Sequence, residues 1–344
     1  MKPIIGITMG DPAGVGPEIA IKALARREAH EDCVPVIIGD YAALEAANRL
    51  CSRGLALRRL ERAGDAAGQP GAAEVIDMAL PGAAGFEYGK VQKLCGEAAF
   101  RYVEKAIALA MAGELHAVAT GPINKEAINL AGHHYSGHTE IFAERTGTAD
   151  YAMLLMGGGL RVIHATTHCS LREACDLVTR ERVLKTIQLA REGLSLLGLD
   201  SPKIGVAGLN PHASENGLFG SEEARAIAPA VEDARRMGIC AEGPVPPDTV
   251  FVKCRAGQYD VVVAMYHDQG HIPLKLCGFR MDIKTGLYES ISGVNCTIGL
   301  PIIRTSVDHG TGFDRAWQNR ANEESLIDAI RAGAAMARAK HGLR

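Results

Sequence analysis

The sequence predicts an α/β protein built on a doubly wound, mostly parallel sheet, and three observations predict it. Short apolar runs rich in β-branched residues alternate with stretches of helical spacing along the 344 residues. Several of those runs stop in polar segments containing Gly or Pro, the kind that line ligand clefts at strand ends. The sharpest is Val261 to Ala264. Four apolar residues read as a strand buried on both faces, and the exit Tyr266-His267-Asp268-Gln269 offers an imidazole beside a carboxylate.

Taken in order, Pro3 to Thr8 is a first strand, and residues 10–18 form a Gly/Pro loop leading into a helix from Ile19 to Ala25. Such a layout suits a phosphate, but Pro12 and Pro17 remove backbone donors, so the loop reads as a rigid wall of a cleft. Val34 to Gly39 is a second strand and Tyr41 to Leu50 a helix. Residues 54–71 read as loop, Ala73 to Ile76 as a short strand, and Gly89 to Ala112 as a long helix. Val118 to Thr120 is a strand whose exit carries Lys125, and Ile141 to Arg145 starts a helix behind GHHYSGHTE (132–140).

In the second half, Leu160 to His168 reads as a strand running out at His168. Glu181 to Leu196 is a helix, and the strand Lys203 to Ala207 leads to Asn210-Pro211-His212. A helix from Ser221 to Met237 precedes the Val261 strand, and an amphipathic helix from Glu323 to Lys340 closes the chain.

With 47% hydrophobic residues the chain can bury a sizeable core, and its length suits about two domains. A net charge of -3 and 5% aromatic residues offer neither a basic face nor a stacking platform, so nucleic acid is excluded as a partner. The nine cysteines are scattered and never spaced C-x-x-C, which argues for reduced thiols. No apolar run reaches membrane-spanning length and no signal peptide is evident, so a cytoplasmic protein without a membrane partner is expected.

Twelve histidines are present, and His168, His212 and His267 each end an inferred strand. Three neutral imidazoles suit a divalent ion such as zinc, cobalt or nickel, although a capping role accounts for any one of them alone. Asp268 reads as the orienting partner of His267, as a base, or as a helix cap. Asp248, in a Pro-rich stretch, reads as a turn former. Lys125, Lys275 and Arg304 lie beside strand exits, where a cation grips a phosphate or carboxylate or simply stays solvated.

Seven segments together carry a resemblance: GDPAGVGPE (10–18), TGPINK (120–125), SGHTE (136–140), ATTH (165–168), LNPHASENG (209–217), MYHDQGHIPLK (265–275) and GLPIIRTSVDHGT (299–311). In order and over nearly the whole chain, they resemble the 4-hydroxythreonine-4-phosphate dehydrogenase family. The resemblance implies an isocitrate/isopropylmalate dehydrogenase-like fold, with two α/β domains flanking a cleft. About 1–130 with 300–344 would be the cofactor side, and about 131–299 the metal and dimer side.

It further implies a homodimer with an active site shared between subunits, an NAD or NADP cofactor, and a divalent ion (Zn, Co, Ni, Mn or Mg) held by His168, His212 and His267. His138, Thr139, Lys275, Asn295 and Arg304 would contact the substrate, and Asp308, His309, Gly310 and Thr311 would form the cofactor loop. Beyond that loop, Asp314-Arg315-Ala316-Trp317 departs from the usual continuation. Asp268, Asp248 and Lys125 are the unranked candidates for proton transfer.

Leu276 to Val294 reads as a long loop, which is similar to the branch acting on 4-phospho-D-threonate and 4-phospho-D-erythronate. That branch oxidises the 3-hydroxyl and releases CO2, leaving dihydroxyacetone phosphate. Three other readings stay open: 4-hydroxy-L-threonine-4-phosphate dehydrogenase, terephthalate cis-dihydrodiol dehydrogenase, and a non-catalytic metal- or metabolite-binding protein.

Overall fold

A computed structural model describes residues 1–79, 85–281, 283, 288–291 and 293–343. The chain divides into two compact units, Met1–Ala149 with Leu300–Arg344, and Asp150–Gly299. Both are α/β, as the alternation of apolar runs and helical spacing requires.

The first unit opens with β1 (Ile4–Thr8), α1 (Gly16–Leu24), β2 (Val34–Gly39) and α2 (Tyr41–Cys51). Then come β3 (Ala56–Leu60), β4 (Ala72–Asp77), α3 (Lys93–Met111), β5 (Ala117–Thr120), α4 (Lys125–Leu130) and α5 (His138–Arg145). Helix α1 starts three residues before the expected Ile19, because Pro17 sits in its first turn, where a missing N–H costs nothing. Strand β3 falls where loop was expected. It pairs in parallel with β4 at the sheet edge, and its outward Arg58 and Arg59 disguise it as loop.

The second unit contains β6 (Ala152–Gly157), β7 (Leu160–His164), α6 (Leu171–Leu177), α7 (Arg180–Leu196) and β8 (Ile204–Ala207). A π-helical turn at Glu223–Ile227 runs into α8 (Ala228–Arg236), followed by β9 (Ala241–Val245), α9 (Pro247–Arg255), β10 (Val261–Ala264) and α10 (His267–Gly278). The hairpin strands β11 (Phe279–Met281) and β12 (Tyr288–Ile291) pair antiparallel, and β13 (Val294–Ile298) ends the unit. The expected long loop from Leu276 is thus helix as far as Gly278 and then a hairpin; residues 282, 284–287 and 292 lie outside the described residues.

The chain then returns to the first unit with β14 (Arg304–Val307) and α11 (Glu324–His341). There the strand order is β3-β4-β2-β1-β5-β14, every registered pair parallel. In the second unit the order is β13-β6-β7-β10-β8-β9, with β13-β6-β7 antiparallel and β7-β10-β8-β9 parallel. Strand β10 is buried along its whole length between β7 and β8, as its unbroken Val-rich run predicts. Because those three strands are parallel and adjacent, their exits emerge together.

Candidate active site

The exits of β7, β8 and β10 deliver His168, His212 and His267, but none of the three ends a strand. Strand β7 stops at His164, leaving His168 in the turn before α6. His212 lies in the turn after β8, and His267 is the first residue of α10. Strand propensity overran at Ala165-Thr166-Thr167, because the Thr166 hydroxyl turns to donate to the Met265 carbonyl at 2.8 Å instead of extending the ladder.

His267 is the best-defined member. Its Nδ1 lies 2.7 Å from Asp268 Oδ1, and that hydrogen bond holds the Asp268 carboxyl below its ordinary range. With Nδ1–H donating to the carboxylate, Nε2 keeps its lone pair for an electrophile. The His168 ring lies beside it, centroids 5.9 Å apart. Behind it, His271 stacks on His267 at 3.7 Å and His164 lies 4.8 Å from His271. Burial pushes His271 down to about 4 and His164 down to about 3, so both are neutral packing for the ring in front. The sequence reading did not single out His164; the His267/His271 pair is visible as an i,i+4 spacing on one helix face.

His212 is held differently. Residues His212, Ala213, Ser214, Glu215 and Asn216 all have positive φ, between 47° and 69°. Left-handed backbone costs about 1–2 kcal/mol per non-glycine residue, and such strain collects where surroundings enforce a functional geometry. Just ahead of this stretch the loop is anchored by Glu223, 3% exposed, whose carboxylate accepts from the Leu209 and Asn210 amides (2.8 and 2.7 Å) and from Asn210 Nδ2 (2.9 Å). The His212 ring packs beside Phe219, and among the described residues no three His, Cys, Asp or Glu side chains are gathered closely enough to hold a metal ion. The donor chemistry suits a divalent cation, with His168 and His267 side by side and His212 on the neighbouring loop.

The remaining second-unit candidates are dispersed. Asp248 is exposed in the first turn of α9, not in a turn: Pro246 and Pro247 start a helix there, and a carboxylate is favourable at that end. Lys275 is exposed two turns along α10 from His267, with its Nζ 5.7 Å above the Phe279 ring. Asn295, on β13, donates from Nδ2 to the Met153 sulfur at 2.8 Å, while its Oδ1 is buried without a partner.

The first unit gathers charge around Arg304. This guanidinium is 2% exposed at the start of β14, donates from Nη2 to Thr120 Oγ1 at 2.9 Å, and lies 5.7 Å from the Phe142 ring centre. Burial first, and then the Arg304 charge, hold His138 well below its ordinary range, and its Nε2 is buried without a partner. Thr139 follows it in the first turn of α5. Lys125 is exposed at the start of α4, behind the Asn124 cap, and its Cε passes beside Gly137. A buried cation with a neutral histidine beside it favours an anionic guest.

The Gly10–Gly16 loop, by contrast, is closed upon itself. The Asp11 amide donates to Pro122 O, the Ala13 and Gly14 amides to Asp11, and the Val15 amide to Thr311 O. These donors are used within the loop or against neighbouring backbone, which is the behaviour of a rigid wall and not of a phosphate cradle. Gly14 is required for this: a Cβ there would lie 2.8 Å from Thr311 O. The loop thereby packs on the Asp308–Thr311 segment, where Asp308 N donates to Ser325 Oγ at 3.1 Å, Gly310 is exposed and His309 Nε2 is buried without a partner. The open glycine and the orphaned imidazole nitrogen fit a bound dinucleotide at this loop.

Residues 31–333 match the family described as pyridoxal phosphate biosynthetic protein PdxA. The chain is 49% identical to D-threonate 4-phosphate dehydrogenase of Salmonella typhimurium, covering 95% of this chain and 97% of that protein. It is 46% identical to the protein of the same name from Cupriavidus necator, covering 97% of each. Its structure is similar to 4-hydroxythreonine-4-phosphate dehydrogenase from Klebsiella pneumoniae, with a TM-score of 0.86, 47% identity and 98% of each chain covered. A β-decarboxylating dehydrogenase from Thermococcus kodakarensis, at 14% identity and a TM-score of 0.51 over 96% of this chain and 82% of that one, shares the fold.

Proposed function

Since the chain belongs to the PdxA family of dehydrogenases, we propose that it is an NAD-linked, metal-dependent dehydrogenase of 4-phospho-D-threonate or 4-phospho-D-erythronate. It oxidises the 3-hydroxyl to a ketone, and the resulting β-keto acid loses CO2 to leave dihydroxyacetone phosphate. The observation that carries this reading is the nearly buried Arg304 with its unprotonated neighbour His138, an arrangement suited to a phosphorylated acid. The names of the relatives at 46–49% identity support the same substrate class.

Arg304 and Lys275 supply charge to the phosphate and carboxylate, and His138, Thr139 and Asn295 supply hydrogen bonds that orient the reacting carbon. Asp268 fixes the tautomer of His267, so that His168, His212 and His267 present imidazole nitrogens to a divalent ion. That ion would supply a Lewis acid for the hydroxyl and ketone oxygens of the substrate, so that the electron pair left as CO2 departs is drawn toward the ketone, and NAD or NADP at Asp308–Thr311 would supply the hydride acceptor. Proton transfer falls to Asp268, Asp248 or Lys125. The exposed apolar side chains Val252, Ile272 and Leu276 of the second unit support a homodimer. The free cysteines support a cytoplasmic setting, and no described helix is long and apolar enough to cross a membrane.

A second reading, 4-hydroxy-L-threonine-4-phosphate dehydrogenase, is favoured by the name of the Klebsiella structure. NAD reduction measured with 4-phospho-D-threonate, 4-phospho-D-erythronate and 4-hydroxythreonine phosphate tests both. Turnover of the first pair is expected. Turnover of the third alone would replace the first reading by the second.

A further inference from the structure

The exits that carry the three histidines are linked by three buried hydrogen bonds, and the middle member is a side chain with no assigned role. Gln269 is 8% exposed, two residues after His267 on α10. Its Oε1 accepts from the Met265 amide at 2.7 Å, in the exit of β10. Its Nε2 donates to the Gly208 carbonyl at 2.8 Å, in the exit of β8 that leads to His212. The same Met265 offers its carbonyl to Thr166 Oγ1 at 2.8 Å, in the exit of β7 that leads to His168. Beyond Gly208 the line continues through the Leu209 and Asn210 amides into the Glu223 carboxylate. From the other end, Arg182 donates from Nε to Ala165 O at 2.6 Å and from Nη2 to Tyr151 O at 3.0 Å.

We infer that Gln269 is a positioning residue that sets the His212 loop against the His267 helix, acting through Met265 and Gly208 without being a ligand itself. An amide is the side chain this place requires. One end must accept from an N–H and the other must donate to a C=O, and of the side chains of this length glutamine does both in one plane without depending on a bound proton, as a glutamic acid would. Hydrophobic packing alone would hold the strands together but leave the azimuth of each loop free. An ion held by imidazoles from separate loops is sensitive to that freedom, and loss of an outer partner weakens metal affinity by about 10- to 100-fold. The inference rests on the metal reading proposed above.

Gln269→Met keeps the length of the side chain and removes both the acceptor for Met265 N and the donor to Gly208 O. The expected result, measured by Co2+ titration followed by visible absorption, is an affinity about tenfold or more below that of the parent protein, with an altered Co2+ spectrum. Melting temperature is read on each variant. A lowered melting temperature with unchanged Co2+ affinity and spectrum in Gln269→Met would mean a merely structural side chain and overturns the inference. Should Gln269→Met fail to fold, Gln269→Asn decides: it keeps the amide but is one methylene too short to span both partners, and an unchanged affinity there overturns the inference. His212→Ala is titrated alongside. If it too binds Co2+ like the parent, the metal reading fails and takes this inference with it. Binding lost in His212→Ala but intact in Gln269→Met overturns the strut alone.

Discussion

In the first unit the loop from Gly10 to Gly16 is held by its own backbone: Asp11, Ala13, Gly14 and Val15 all use their amides inside the loop or against its neighbours. In the second unit the loops after β7, β8 and β10 are held by the side chains of Thr166, Gln269 and Glu223. Backbone lacing survives most substitutions, because every residue except proline carries the donor. Side-chain lacing fails with one change of residue type, yet it can tie loops far apart in sequence. In the proposed function the first unit would then supply a preset wall and anion grip, and the second a frame for imidazoles held by side chains.

Four substitutions test that contrast, beginning with the largest effect. His212→Ala removes an imidazole from that frame and should lower kcat by about 1000-fold or more, with metal retention lost and the fold intact by circular dichroism. Activity that persists in the parent protein after chelator treatment would break the assignment. Arg304→Ala in the anion grip should raise KM for a phosphorylated substrate by about 100-fold, the value of a charge-assisted hydrogen bond lost from a buried site. Equal effects on the dephosphorylated analogue would remove the phosphate role.

Glu223→Gln turns an amide donor toward Asn210 Nδ2 in place of an acceptor. About a tenfold loss in metal affinity, with KM for the substrate near that of the parent, would sharpen the division between frame and grip. The smallest effect belongs to the wall. Burial pushes the Asp11 carboxyl up to about 6 from 3.8, so its protonated form is favoured in the fold. The stability it contributes is complete below about 3.8 and is lost as pH rises through about 6. Asp11→Asn should thus gain stability over the parent by roughly 1 kcal/mol between pH 5 and pH 7, seen as diverging melting temperatures. Parallel pH profiles would contradict the burial of a charge in that wall.

Much of this layout was legible in residues alone. The Val-rich run at 261–264 announced a doubly covered strand, and the histidines after it announced the segments to which the proposed metal site is assigned. What stayed hidden had local causes. Strand β3 carries outward arginines because it is an edge, and β9 contains Pro244 because an edge can spare the donor. Helix α9 starts behind two prolines that read as a loop, although proline is well suited to a first helical turn. The position of His168 relative to β7 depended on where the Thr166 hydroxyl turns, a contact made across 99 residues. Gln269 was quoted as part of a motif but not recognised, because its two partners lie on different strand exits and only the fold brings them together.

The segment from His212 to Asn216 has one more consequence. It is about a turn of mirror-image helix inside a chain of L-residues, so handedness itself becomes a usable variable there. Right-handed folding disfavours this backbone for L-alanine but favours it for D-alanine. Semisynthesis placing D-Ala at position 213 would relieve the strain while keeping the atoms of the side chain. The left-handed turn of the His212 loop would then be preset by chirality, with the Glu223 anchor at Leu209 and Asn210 left as it is.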